Sequence, residues 1–186
     1  KQPDVFEDAM KGAAKALLSL REQGVVRSIG VGVNESDVAL QSIRRIDFDC
    51  VLLAGRYTLL EQYPLDDFLP LCQQQEVSVI VGGGYNSGIL ATGSVPGARY
   101  NYAPANEAML TRVRRIEELC REFGVPLKSA ALQFILAHPV IKNVIPGCRS
   151  VKQLHENVDT LNSVIPTEFW RALQMWRLIR EDAPIP

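Results

Sequence analysis

Two glycine-bearing segments hold most of the chemistry open to this sequence. Val81-Gly82-Gly83-Gly84-Tyr85-Asn86-Ser87-Gly88 gathers four glycines in eight residues. Glycine adopts positive φ and lets a backbone approach a ligand closely, so the segment suits a cradle for a phosphate or a nicotinamide. The plainer alternative is a loop that needs unusual dihedrals. It is not a G-x-G-x-x-G fingerprint, because no helical pattern opens directly after it. The second segment, Ile145-Pro146-Gly147-Cys148-Arg149-Ser150, runs into a helical stretch bearing Gln153, Glu156 and Asn157. Free amides at that helix start, with Arg149 and Ser150 beside them, make an anion site. Gln153, Glu156 and Asn157 share one helical face at three-to-four spacing. They suit the hydrogen-bonding edge of an adenine, or an ordinary solvated face.

Other polar residues are less committed. Asn34 follows an apolar run and offers a carboxamide both a donor and an acceptor, or caps the next helix. Arg56 and Tyr57 end a second apolar run and either line a pocket or pack with the phenol wet; Tyr85, Tyr100 and Tyr102 suit a ring platform. His138, before Pro139, fits the dipole at a helix end, and His155 sits on a solvated face. No Ser-His-Asp or Cys-His arrangement and no marked pair of carboxylates emerges, so no catalytic residue is assigned. Cys50, Cys72, Cys120 and Cys148 form no C-x-x-C pair and have no ligand spacing to either histidine. Free thiols in a reducing cytoplasm, and no metal site, are expected.

The elements that must position these residues alternate. Phe6, Met10, Ala13, Ala14, Leu17 and Leu20 recur at helical spacing after a cap near Asp4, and Gly24 supplies a stop. The run 28–33, rich in β-branched residues, reads as a buried strand. A helix follows, with Asn34 and Ser36 as caps and Val38, Leu40, Ile43 and Ile46 as its inner stripe. Next come a strand over 50–53, a helix over 66–75 and a strand over 77–81. Residues 85–104, rich in Gly, Pro, Asn and Tyr, show no period and read as a lid or binding loop. Helices over 107–123 and 128–138 precede a strand over 143–146, and helices over 151–161 and 167–180 end the chain. The pattern is four βα units with an extra C-terminal helix, an α/β fold with a parallel sheet whose ligand site lies at the strand C-terminal ends.

At 186 residues the chain falls short of the about 250 that a complete (β/α)₈ barrel needs. Its 20 basic and 21 acidic residues, net charge −1, are interspersed, which gives no electrostatic footprint for nucleic acid or an anionic membrane. No apolar run is long enough to span a bilayer. A small-molecule partner is expected, and nothing in the residues speaks to oligomeric state.

The ordered combination of Arg27-Ser28-Ile29-Gly30-Val31-Gly32-Val33-Asn34, Tyr57-Thr58-Leu59-Leu60, Asn86-Ser87-Gly88-Ile89-Leu90, and Ile145-Pro146-Gly147 through Glu156-Asn157 resembles the aldo-keto reductases over essentially the whole chain. Ser87-Gly88-Ile89-Leu90-Ala91-Thr92-Gly93 and the terminus from Phe169-Trp170 to Ala183-Pro184-Ile185-Pro186 are similar to the sugar dehydrogenases of that superfamily acting on fucose, galactose or threo-aldoses, and to pyridoxal dehydrogenase. The resemblance implies the C-terminal half of a (β/α)₈ TIM barrel, a single partial domain over 1–186. It also implies hydride transfer between an aldose's anomeric carbon and NAD or NADP, with NAD favoured. The implied cofactor contacts are Asn34, Gly82, Gly83, Gly84, Ser87, Gly147, Cys148, Arg149, Ser150, Gln153, Glu156 and Asn157. Gly32-Val33 stands where many members have Ser-Asn, Ala54 where Gln is common, and Gly82 where an aromatic often stacks on nicotinamide. The family's Asp, Tyr, Lys and His tetrad belongs to the other half of the barrel, so the expectation is a segment or truncated product that turns over no sugar alone. A phosphate-binding barrel isomerase or lyase, and a non-catalytic nucleotide-binding relative, remain as other readings.

Overall fold

The structure, a computed structural model, describes residues 3–186, with side chains from residue 5 onward; the cap expected near Asp4 would rest on side chains outside those described. Helices α1 (Pro3–Lys11) and α2 (Ala13–Glu22) divide what the periodicity reads as one helix. The break falls at Gly12, whose ψ of −81° leaves the helical basin, although its amide still donates to the Asp8 carbonyl at 2.8 Å. After α2 the chain turns at Gly24, at φ +73°, and Val25 N–H donates back to the Leu20 carbonyl at 2.9 Å, a left-handed helix stop.

Next come β1 (Gly30–Val33), α3 (Ser36–Arg45), β2 (Cys50–Ala54), a 3₁₀ turn at Tyr63–Leu65, α4 (Phe68–Gln74) and β3 (Ser78–Gly82). The aperiodic stretch after β3 has structure of its own. α5 (Ile89–Thr92) makes one turn, and β4 (Arg99–Tyr100) pairs antiparallel with β5 (Ala103–Pro104). α6 (Glu107–Glu122), α7 (Leu127–Leu136), β6 (Ile141–Ile145), α8 (Val151–Asn162) and α9 (Thr167–Met175) complete the chain. α9 stops short of the expected 180. Arg177 turns left-handed at φ +54°, and Leu178 N–H returns to the Leu173 carbonyl at 2.9 Å, which buries Leu178 and Ile179.

The strands lie in the order β1-β2-β3-β6, all parallel, with helices between them, so the fold is a partial (β/α)₈ barrel. Side chains alternate across a strand. Val51, Leu53, Val79 and Val81 are fully buried on the helix side, while Leu52 and Ile80 between them are half-buried on the opposite, concave side. Each fully buried Val or Leu contributes about 1.5–3 kcal/mol relative to exposure. The expectation of a buried strand over 28–33 needs correction. β1 is an outer strand with β2 alone beside it, Gly32 is exposed, and its other residues are half-buried. β6 is the opposite edge, with Lys142, Asn143 and Ile145 exposed. Among the described residues no helix is long and apolar enough to cross a membrane.

Candidate functional site

The site starts from the pairing of β3 with β6. Their register sets Gly82 beside Ile145, so the two glycine-bearing segments leave the sheet side by side on one rim. At the β3 exit, Gly84 is fixed by packing: a Cβ there would lie 2.8 Å from Ile135 Cδ1 and 3.3 Å from Leu132 Cδ2 on α7. Gly83 stands at φ +63°, followed by Asn86 and Ser87 at +44° and +58°, a left-handed region that Asn tolerates better than most residues. The turn is closed by Asn86 N–H on the Gly83 carbonyl at 2.9 Å, and Ser87 Oγ accepts Tyr102 N–H at 3.0 Å.

At the β6 exit the hydrogen bonding is local. Ser150 Oγ caps α8 by accepting Gln153 N–H at 3.2 Å, and Gln153 Oε1 accepts Arg149 N–H at 2.7 Å. The turn is therefore stiff, and the remaining first-turn amides of α8 keep the orphan donors and positive dipole of any helix start.

Between the two exits lies a cleft of about 800 Å³. Of the residues singled out in the sequence, Gly83, Gly84 and Ser87 line it from one side, Gly147, Cys148 and Arg149 from the other, and Gln153 and Asn157 from α8. Asn34 lines a smaller adjoining cleft of about 200 Å³, which shares Gly83, Ser87 and Tyr102 with the larger one. Three expected residues stand outside the walls. Gly82 is buried within β3, its carbonyl accepting Gly55 N–H at 2.7 Å. Ser150 serves as the cap, and Glu156 is held by Lys128 at 2.9 Å, an ion pair that keeps its carboxyl below the usual range.

Residues that the sequence did not single out complete the electrostatics. Lys128 and Arg99 also line the larger cleft; with Arg149 they make three cations, and no Asp or Glu lines it. Lys128 opens a helical pattern and Arg99 lies in an aperiodic stretch, so neither carried a local signal. Tyr85 donates its phenol to Asn157 Oδ1 at 3.0 Å, and burial pushes that phenol up to about 12. At neutral pH it is a fixed donor.

Around the smaller cleft, the cap assigned to Asn34 is not made. The chain enters α3 through Glu35 in extended conformation without a side-chain cap, and Ser36 is the first helical residue. The Asn34 carbonyl instead accepts Arg56 Nε at 2.7 Å. Arg56 Nη1 also reaches Asn101 Oδ1 at 3.2 Å and Glu61 at 3.5 Å, and Tyr100 donates to the same Glu61 carboxylate. The β4–β5 hairpin is thereby pinned onto the ends of β1 and β2. Tyr102 at its tip is 80 % exposed.

Tyr57 neither lines a pocket nor keeps a wet phenol. It is fully buried with its hydroxyl unpartnered, stacked on Phe134 at 5.3 Å and edge-on to His138 at 5.5 Å. His138 likewise does not answer a helix dipole in solvent. It is 5 % exposed, burial lowers its pKa, and Nδ1 accepts Val140 N–H at 3.4 Å. The cysteines are all free; Cys72 and Cys120 are buried, Cys50 is half-buried and Cys148 exposed. Burial pushes the Cys72 and Cys120 thiols up to about 12, so both are inert.

A cationic cleft between two strand exits, floored by backbone amides and a helix start, is able to hold an anionic phosphate-bearing ligand at the C-terminal rim of a parallel α/β arc. Residues 3–176 match the Aldo/keto reductase family, and the chain belongs to it. It is 39% identical over 168 residues to pyridoxal 4-dehydrogenase of Microbacterium luteolum, covering 90% of this chain and 49% of that protein. It is 36% identical over 172 residues to D-threo-aldose 1-dehydrogenase of a Pseudomonas species, covering 92% of this chain and 52% of the relative. The chain thus spans about half the length of these curated relatives. Among solved structures, the holo form of an aldo-keto reductase from Bacillus halodurans superposes with a TM-score of 0.73 at 26% identity, over 97% of this chain and 59% of that one.

Proposed function

We propose that this chain is the dinucleotide-holding part of an NAD(P)-dependent oxidoreductase that oxidises an aldose, such as L-fucose or galactose, to its lactone. The observation that carries this is the cleft with Arg99, Lys128 and Arg149 in its walls and no carboxylate. The donor set fits the group: backbone amides and guanidinium for a pyrophosphate, and the Gln153 and Asn157 amides for an adenine edge. Arg149 and the turn at Gly147 and Cys148 hold the phosphates from the β6 side, and Gly83, Gly84 and Ser87 hold them from the β3 side. Glu156, paired with Lys128, stands behind the adenine end, and Asn34 serves the nicotinamide end. The cofactor supplies the hydride acceptor. The chain's residues bind and orient it and exclude water from the phosphates.

The relatives' names support the substrate class, since one acts on D-threo-aldoses and another on pyridoxal; both are dehydrogenases, which favours NAD. Family membership argues against the isomerase or lyase reading. Tyr57 is sealed in the core and the Tyr85 phenol is engaged by Asn157. Neither phenol is therefore assigned the anomeric hydroxyl proton, and residues 1–186 are read as one partial domain without a proton-transfer group of their own. Alone, this stretch binds dinucleotide and turns over no sugar.

Calorimetric titration of the chain with NAD, NADP and a sugar phosphate tests this. Saturable binding of NAD at micromolar to low-millimolar concentration, weakened by salt, with none of the sugar phosphate, is expected. Preference for the sugar phosphate, or turnover of L-fucose by the chain alone, would overturn it.

A further inference from the structure

One residue lining the smaller cleft carries a buried polar atom that the protein leaves unsatisfied. Asn86 is 3 % exposed and lines this cleft. Its Nδ2 donates to the Gly55 carbonyl at 3.2 Å, which fixes the amide's orientation, because a flipped amide would set two oxygens against each other. Oδ1 then has no donor. A buried acceptor without a partner costs about 1–3 kcal/mol, and the residue also sits in left-handed backbone at φ +44°. Both features describe a group held ready for a ligand.

The neighbouring atoms define that ligand. Arg56 spends Nε on Asn34 and Nη1 on Asn101 and Glu61, which leaves Nη2 to donate. An acceptor at Asn86 and a donor at Arg56, in a space of about 200 Å³, complement a primary carboxamide, which offers N–H and C=O side by side. The cleft is continuous with the larger one through Gly83, Ser87 and Tyr102, so a dinucleotide with its phosphates between the strand exits places its second ring here. We infer that Asn86 Oδ1 accepts the N–H of the nicotinamide carboxamide and Arg56 donates to its carbonyl. Asn86 is thus a positioning residue for the ring that receives hydride. The inference rests on the dinucleotide reading above.

Three probes separate the two claims: NAD⁺, 3-acetylpyridine adenine dinucleotide, in which a methyl ketone replaces the carboxamide and removes its N–H, and ADP-ribose, which lacks the ring. The wild-type chain binds NAD⁺ about five- to tenfold more tightly than the acetylpyridine analogue, the order of one neutral hydrogen bond. Asn86→Gly keeps the left-handed turn without strain. It is expected to abolish that preference and to leave ADP-ribose affinity unchanged. Equal affinity of the wild type for NAD⁺ and the analogue, or a preference that survives in Asn86→Gly, overturns the assignment. Loss of ADP-ribose binding in Asn86→Gly alone also overturns it, since the side chain would then be shaping the turn. Failure of the wild type to bind ADP-ribose instead defeats the dinucleotide reading itself.

Discussion

At the scale of single residues, two side chains capable of proton chemistry, His138 and Tyr57, are spent on packing. His138 and Tyr57 meet edge-on beneath Phe134, and the imidazole is neutral because burial disfavours its charged form. Its folded pKa lies below the ordinary 6.5, so near neutral pH it makes no demand on stability. As pH falls below 6.5 the unfolded chain takes up a proton that the folded chain refuses, and stability declines until the folded pKa is passed. The urea midpoint is therefore expected to drop between neutral pH and pH 5. His138→Leu, similar in volume and unable to titrate, flattens that segment of the profile. An unchanged slope in the variant would assign the acid sensitivity to carboxylates instead.

At the scale of elements, the joints decide the placement of the strand ends. Asp49, just ahead of β2, accepts Ile29 N–H at 2.7 Å and Arg21 Nη1 at 3.0 Å, so one carboxylate ties α2 to the entry of β1. The backbone amide, then Arg21, holds that carboxyl below its ordinary value, so its contribution is complete above the unfolded pKa and is lost as pH falls through the folded one. Asp49→Ala is expected to lower stability by about 1 kcal/mol at pH 7, a charge-assisted bond discounted for its part exposure; the shift in urea midpoint measures it. Such joints explain what the sequence could reveal. Periodicity and β-branched runs located all four parallel strands; burial on the helix face enforces the pattern in β2 and β3, while the two outer strands carry it only in their β-branched composition. The early end of α9 was missed because it depends on tertiary closure, Arg177 turning so that Leu178 can bury, whereas the break at Gly12 is a local one that the helical spacing of the apolar residues masks. In the cleft, glycine runs and a helix start are local signals, so Gly83, Gly147 and Arg149 were legible. Lys128 was not, since it arrives from α7 with no pattern of its own, and Asn86, although inside the glycine-bearing segment, was not singled out because its unpartnered oxygen emerges only from the folded turn.

At the scale of the whole molecule, no strand among the described residues pairs beyond β1 or β6, and the sheet face opposite the helices is only partly covered. Leu52 and Ile80 are half-buried there, and Ile145, on the outer strand β6, is 51% exposed. Ile145 Cγ1 would lie 3.8 Å from a Cβ built on Gly82, which places it over the concave side. Open strand edges beside apolar surface are templates for further strand pairing. The 186-residue chain by itself is accordingly expected to self-associate with rising concentration and to bind a hydrophobic dye. A lysine on the edge blunts such pairing, because association would bury an unpaired charge. Ile145→Lys should therefore shift the sedimentation profile toward monomer at a concentration where the parent chain is associated, and reduce dye fluorescence alongside. If Ile145→Lys leaves association intact, the contact runs through the helical exterior and the concave face is not the adhesive one.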